Sequence, residues 1–222
     1  GALALRGVTF AYPERETVLD GVDLDIPAGQ IVALVGENGA GKSTLVNLMM
    51  RFYEPDAGTV LLDGRDIRAI QLQALRRQFG LVPQRPLLFN GTIRDNIGFG
   101  LEGASDSAIE DAARLAQAHD FITGLTQGYD TRIGDHGVRL SGGQGQRIAL
   151  ARALLGNPPI LIFDEATSMF DLDGESAFIA SCESALRGRT LILIPLLAAS
   201  LALADRLVKV EGGKVVDVNA VA

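Results

Sequence analysis

The run Gly36-Glu37-Asn38-Gly39-Ala40-Gly41-Lys42-Ser43-Thr44 fits G-x-x-x-x-G-K-[ST] in full. The chemistry this pattern supports is phosphate binding. Glycines let the backbone turn its N–H groups inward around phosphate oxygens, and a helix that follows adds its positive N-terminal end. In such a loop Lys42 reaches the β- and γ-phosphates of a nucleotide, and the Ser43 hydroxyl ligates Mg2+. A chance glycine-rich turn is the competing reading. An apolar strand before the loop, Ile31–Val35, and a helix after it, Ser43 to about Phe52, are the context that favours ATP and Mg2+.

A second, acidic element fits the same chemistry. Ile160-Leu161-Ile162-Phe163-Asp164-Glu165 reads as an apolar strand ending in two carboxylates. In P-loop enzymes such a strand lies beside the phosphate loop, and its aspartate, Asp164 in this chain, holds Mg2+. Glu165 is then placed to polarise a water as general base. In isolation, two carboxylates at a strand end are commonly a solvated edge.

These residues need a scaffold, and the sequence outlines one. Strand-like segments run over Ala2–Phe10, Val18–Ile26 and Ile31–Val35, each bounded by Gly, Pro or Asp. The third is apolar throughout, as expected for a strand covered on both faces. Asp63-Gly64 marks a tight turn after Thr59–Leu62. From about Gly91 to Asn157 the pattern turns helical, with apolar spacing in Ala108–Ala118 and Gln144–Leu155. Strands return at Ile160–Phe163, Leu191–Ile194 and Leu207–Val210, with helices between the first two and after the second. Strands alternating with helices imply an α/β fold with a mainly parallel sheet, and the helical block reads as an inserted subdomain.

Composition narrows the classes. The 222 residues are 47% hydrophobic and 21% charged, which suits one globular α/β domain. A formal net charge of −7 argues against nucleic acid as the main partner. The single cysteine, Cys182, leaves no internal disulfide framework and reads as a packed helix residue in a reducing compartment. The longest uncharged run, Thr190 to Ala204, is interrupted by Pro195 and is shorter than the roughly 20 apolar residues of a membrane span. It reads as a buried strand leading into a helix, in a soluble chain without a signal peptide. The abrupt start in strand-like sequence suggests a fragment of something longer.

Two further segments carry a family resemblance. Leu140-Ser141-Gly142-Gly143-Gln144 resembles the signature sequence of ABC ATPases, and Leu81-Val82-Pro83-Gln84 resembles their Q-loop. Tyr12, in Val8-Thr9-Phe10-Ala11-Tyr12-Pro13, matches the aromatic residue on which that family stacks adenine. The resemblance covers essentially the whole chain, with the motifs in the family's order. Pro83-Gln84-Arg85-Pro86-Leu87-Leu88-Phe89-Asn90-Gly91-Thr92-Ile93 is similar to the exporter branch. Arg132-Ile133-Gly134-Asp135-His136-Gly137 is similar to the exporter X-loop, which touches transmembrane domains, with Asp135 where Glu is usual.

The resemblance implies a P-loop NTPase core of the ABC type, an antiparallel β subdomain and an inserted helical subdomain, all in one domain. Core and β subdomain would take about 1–90 and 157–222, and the helical subdomain about 91–156. It implies a head-to-tail dimer with a second ABC domain, identical or different, and two ATP molecules between the subunits. Tyr12 and Gly36 to Thr44 would bind one ATP. Ser141, Gly142, Gly143, Gln144 and Asp171 would face the ATP held by the partner. Ser43, Gln84 and Asp164 would serve Mg2+, with Glu165, Gln84 and Lys42 catalytic. The cycle would drive the transmembrane domains of an exporter from the cytoplasmic side of a membrane, the inner or plasma membrane of a bacterium.

The sequence also departs from the family pattern. Where the family has a His after the last core strand, contacting the γ-phosphate, this chain reads Ile194-Pro195-Leu196, so Leu196 takes the switch position. The two histidines, His119 and His136, lie elsewhere and read as packed or surface residues. Loss of one positioned donor typically costs about 10²–10³ in rate, so slow hydrolysis is expected despite Glu165. Ser168-Met169-Phe170-Asp171 is bulkier than the usual Ser-Ala-Leu-Asp, and Gly145 occupies a position that is often basic, which would remove a surface charge. The alternatives are a regulatory nucleotide-binding module with little turnover and a soluble ABC ATPase acting on ribosomes or DNA. The exporter-like segments speak against the second.

Overall fold

The computed structural model describes residues 1–135, 137–168, 172–196 and 198–220. His136, Met169, Phe170, Asp171 and Leu197 therefore lie outside the described residues.

The chain opens with β1 (Leu3–Ala11), β2 (Thr17–Ile26) and β3 (Ile31–Val35), followed by the loop and helix α1 (Lys42–Met49). Next come β4 (Ala57–Leu62), β5 (Arg65–Asp66), the short helix α2 (Leu72–Arg76) and β6 (Phe79–Val82). The middle holds β7 (Gly91–Thr92), α3 (Ile93–Gly98), α4 (Asp106–Leu115), α5 (His119–Thr123), β8 (Arg132–Ile133) and α6 (Gly142–Leu154). The last third runs β9 (Ile160–Asp164), α7 (Leu172–Leu186), β10 (Thr190–Ile194), α8 (Ala198–Leu201), β11 (Arg206–Glu211) and β12 (Lys214–Ala220).

Six strands form the central sheet in the order β12-β11-β3-β10-β9-β6, parallel throughout except for the β11–β12 edge. A second, antiparallel sheet has the order β2-β1-β4-β5. Strand side chains alternate between faces, and both faces of the central sheet are covered. Val32, Leu34, Ile160, Ile162, Ile192 and Ile194 join the cluster shared with the antiparallel sheet and α1. Ala33, Leu161, Phe163, Leu191 and Leu193 join the cluster under the helices. Burial on both sides is why β3, β9 and β10 read as unbroken apolar runs rather than alternating ones.

The differences from sequence expectation sit at edges. α1 ends at Met49, short of Phe52, because Arg51 turns to φ +54 and ends the helical path. β6 and β12 were not anticipated: Leu81 and Val82 read as part of a loop motif, and β12 follows a Gly212-Gly213 turn past the last expected strand. The middle block is helical but also holds the two-residue strands β7 and β8. α6 starts two residues earlier than the apolar spacing implies, because Ser141 caps it. The Ser141 hydroxyl accepts from the Gln144 N–H at 3.2 Å, and Gln144 Oε1 accepts from the Ser141 N–H at 3.0 Å. No helix among the described residues is long and apolar enough to cross a membrane.

Candidate nucleotide site

β3 delivers the chain into the glycine loop at the carboxyl end of the parallel sheet, and α1 carries it away. A Cβ at Gly36 would run into the carbonyl oxygen of Val210 on β11, so only glycine lets the loop leave the sheet here. Lys42 is buried, and its Nζ donates to the carbonyls of Gly36 and Glu37, each at 2.8 Å. The ammonium thus lies across the loop that the sequence assigns to phosphate. Ser43, the next residue, donates its hydroxyl to Asp164 Oδ1 at 3.4 Å. β9 lies two strands from β3, separated from it by β10, and that order sets the end of β9 against the start of α1.

Two oxygen donors, Ser43 Oγ and Asp164 Oδ1, therefore converge beside Lys42, a donor set that suits a hard cation such as Mg2+. Burial pushes the Asp164 carboxyl above the ordinary range, and the charge of Glu165 adds to this; the Ser43 hydrogen bond and the Lys42 charge oppose it. A cation bound beside it would favour the ionised form.

Glu165 holds a left-handed backbone at φ +49, with its N–H donating to the Ile194 carbonyl at 2.9 Å. Gln84, on the loop after β6, donates its Nε2 to Glu165 Oε2 at 2.5 Å. The Gln84 carbonyl accepts from the Ser168 hydroxyl at 3.2 Å, and the Pro83 carbonyl from Gln146 Nε2 on α6 at 2.9 Å. The loop after β6 is thus tied at once to the Glu165 segment and to the helix that follows Ser141. Further along, the Arg152 guanidinium donates to the carbonyls of Leu87 and Asn96 and lies over the Phe89 ring. Burial lowers its pKa to about 10.

Tyr12, Asn38, Gly39, Gly41, Lys42, Ser43, Thr44, Gln84, Glu165 and Leu196 line one cleft of about 510 Å3, together with Arg15 and Val18. Tyr12 is half-buried, its hydroxyl 3.1 Å from Thr44 Oγ1 and its ring edge-on to Phe10 and Tyr53. Leu196 is 52% exposed in this cleft, a large apolar side chain facing a polar space. Gly36, Glu37 and Ala40 line an adjoining hollow of about 910 Å3, between the loop and residues 209–213. A third hollow, about 720 Å3, lies away from these motifs against Arg76, Arg77 and Arg152.

Ser141, Gly142, Gly143 and Gln144 are absent from the cleft wall; they stand at the N-terminus of α6, with Ser141 and Gly142 exposed. Asp171 lies outside the described residues. Asp135 is pinned to Asn90, which accepts from its N–H at 2.7 Å and donates to its carboxylate at 3.1 Å. His119 shares a hydrogen bond of 2.9 Å with Tyr129, and Cys182 is buried, each as expected of a packed residue. Gly145 corrects an expectation. It is buried, and a Cβ there would stand 3.2 Å from Pro86 Cγ, so the position touches the loop after Gln84 rather than solvent. Arg15 and Val18 were missed in the sequence; their only signal is closeness to Tyr12 at the head of β2.

The ABC transporter family model matches residues 19–168. The chain belongs to the ABC transporter family. An ATP-dependent lipid A-core flippase of Syntrophus aciditrophicus (strain SB) is 48% identical over 218 residues, which cover 98% of this chain and 36% of that protein. ABC transporter B family member 19 of Arabidopsis thaliana is 46% identical, over 98% of this chain and 18% of its own length. A solved structure of a bacterial Atm1-family ABC exporter with ATP bound superimposes with a TM-score of 0.88 at 41% identity, covering 96% of this chain and 37% of that one. The chain thus spans about a third or less of these relatives. The fold is that of an ABC-type P-loop NTPase domain, and the family as a whole binds ATP with Mg2+.

Proposed function

We propose that the chain is the ATP-binding and ATP-hydrolysing motor domain of an ABC exporter, acting on the cytoplasmic side of a membrane. One observation carries this reading: Tyr12, Lys42, Ser43, Gln84 and Glu165 meet in one cleft that leaves Ser141 to Gln144 outside it. A cleft that lacks its signature residues is half of a site, to be completed by another subunit. The whole chain acts as one domain, with core and β subdomain at about 1–90 and 157–222 and a helical subdomain at about 91–156.

In this reading Tyr12 stacks on adenine and the loop from Gly36 to Thr44 wraps the phosphates. Lys42 exchanges the Gly36 and Glu37 carbonyls for the β- and γ-phosphates. Ser43, Asp164 and Gln84 hold Mg2+, which when bound offsets the phosphate charge. Glu165 accepts the proton of the attacking water, oriented by the Gln84 amide already bonded to it. The exposed N-terminus of α6, with Ser141, Gly142, Gly143 and Gln144, presents its N–H groups to the γ-phosphate of the partner's ATP, and Asp171 joins it across the dimer. A head-to-tail dimer with a second ABC domain closes on ATP and opens after hydrolysis, moving the transmembrane domains of the exporter.

Leu196 supplies neither a hydrogen bond nor a charge where it faces this cleft, so hydrolysis is slow while binding is retained. The same observation supports a second reading, a regulatory module of an asymmetric transporter that closes on ATP without useful turnover. Steady-state hydrolysis by the purified chain and by Glu165→Gln separates them. A slow rate abolished by the substitution supports the motor, equal negligible rates support the module, and a fast rate overturns the role given to Leu196.

A further inference from the structure

One group that this mechanism leaves unused is a carboxyl in the core. Glu175, in α7, is 0% exposed. Its Oε1 accepts hydrogen bonds from the hydroxyls of Thr167, at 2.9 Å, and Ser200, both buried as well. Its Oε2 is buried with no hydrogen-bond partner among the described residues. A partly satisfied carboxyl in an apolar core is costly beside a packed apolar side chain, so packing alone gives no reason for glutamate here.

The three residues come from three segments, two of which carry residues of the cleft. Thr167 follows Glu165 by two positions, Ser200 follows Leu196 by four, and Glu175 follows Asp171 by four. Glu165 is left-handed, a conformation that a residue with a side chain keeps only where its surroundings over-determine it. On the sheet side its segment is held by the Ile194 carbonyl, and on the Gln84 side by the Ser168 hydroxyl. The Thr167–Glu175 bond fastens the same segment to α7, and Ser200 brings α8, just beyond residue 196, to the same carboxyl oxygen.

We propose that Glu175 is a positioning residue of the hydrolytic site. Through Thr167 it holds Glu165 in its left-handed conformation, and through Ser200 it sets the segment carrying residue 196 against that base. It touches no nucleotide and acts only through these neighbours. The inference rests on the reading of Glu165 as the base.

Thr167→Val removes the hydroxyl at nearly constant volume, and Thr167→Ser keeps it. In the 222-residue chain, amide hydrogen exchange at Glu165 and Ser168 is expected to rise roughly tenfold in Thr167→Val, the scale of one lost hydrogen bond. Thr167→Ser is expected to return it to within about twofold of the parent. In a Leu196→His background, Thr167→Val and Glu175→Gln are expected to lower kcat roughly tenfold while KM for ATP stays within about twofold, because the phosphate loop is untouched. Unchanged exchange in Thr167→Val, equal behaviour of Thr167→Val and Thr167→Ser, or kcat and KM shifting together overturns the proposal. A Leu196→His chain without measurable turnover counts against the reading of Leu196 instead, and the exchange measurements then decide the role of Glu175 by themselves.

Discussion

The two ends of the nucleotide cleft are built in different ways. The proposed phosphate end is one continuous piece of chain, from Gly36 through α1, with Ser43 and Thr44 also reaching Asp164 and Tyr12. Lys42 bonds to carbonyls five and six residues away, within the same loop. The end assigned to hydrolysis is assembled from three separate segments. Gln84, Glu165 and Leu196 meet only because β6, β9 and β10 are neighbours in the sheet. A local device tolerates change elsewhere in the chain, whereas a device assembled across the sheet depends on every contact that sets its geometry. On the proposed reading, binding and hydrolysis are therefore separable, with Leu196 on the side assigned to hydrolysis.

The largest effect is expected at the hydrolytic end. Leu196→His should raise turnover by up to about 10²–10³ with little change in ATP affinity. Steady-state phosphate release beside nucleotide titration checks this, and a parallel change in both would dissolve the separation of the two ends. At the phosphate end, Lys42→Ala should weaken ATP binding roughly 10–100-fold, the worth of hydrogen bonds to a charged group, and equilibrium binding of a fluorescent nucleotide measures it. Gly36→Ala should cost about 2 kcal/mol or more in denaturant unfolding, because the Val210 carbonyl leaves no room for a methyl group.

Smaller effects sharpen the contrast. Thr92 caps α3, its hydroxyl accepting from the Asp95 N–H at 3.0 Å, and it lies outside both ends of the cleft. Thr92→Ala should cost about 1 kcal/mol in stability with ATP affinity unchanged. Asp164 gives the least effect on stability. Its pKa is raised in the folded chain by burial and by Glu165, so the folded state keeps its proton to higher pH than the unfolded state does. Its contribution to stability therefore falls as pH rises through the window from the ordinary carboxylate range to the raised value. Asp164→Asn should accordingly stabilise the nucleotide-free chain at neutral pH, by no more than about 1 kcal/mol since the carboxylate is partly solvated, with the gain disappearing in acid. Thermal unfolding across pH checks the sign.

How much of this was legible in advance follows the same division. The loop from Gly36 to Thr44 is a short-range feature set by glycine conformational freedom; the cap at Ser141 is as local, yet the apolar spacing alone placed the start of α6 two residues late. The unbroken apolar run of β3 also showed directly that both of its faces are covered. Gly145 misled because its neighbours in the chain give no hint of Pro86. Edge strands β6 and β12 were missed because an edge has one pairing partner and carries a weaker apolar pattern.

The sequence by itself determined the glycine loop, the carboxylate pair at Asp164 and Glu165, the leucine at position 196 and the membership of an ABC-type α/β fold. Each motif among them is written in residue types and spacings within a few positions. Tertiary structure alone decided that Gln84 bonds to Glu165, that Leu196 faces the cleft, that Arg15 and Val18 line it, and that Glu175 lies buried between Thr167 and Ser200. The physical reason is that most of these contacts join residues tens of positions apart, or loops following different strands. Strand order and helix docking, rather than local propensity, bring those residues together.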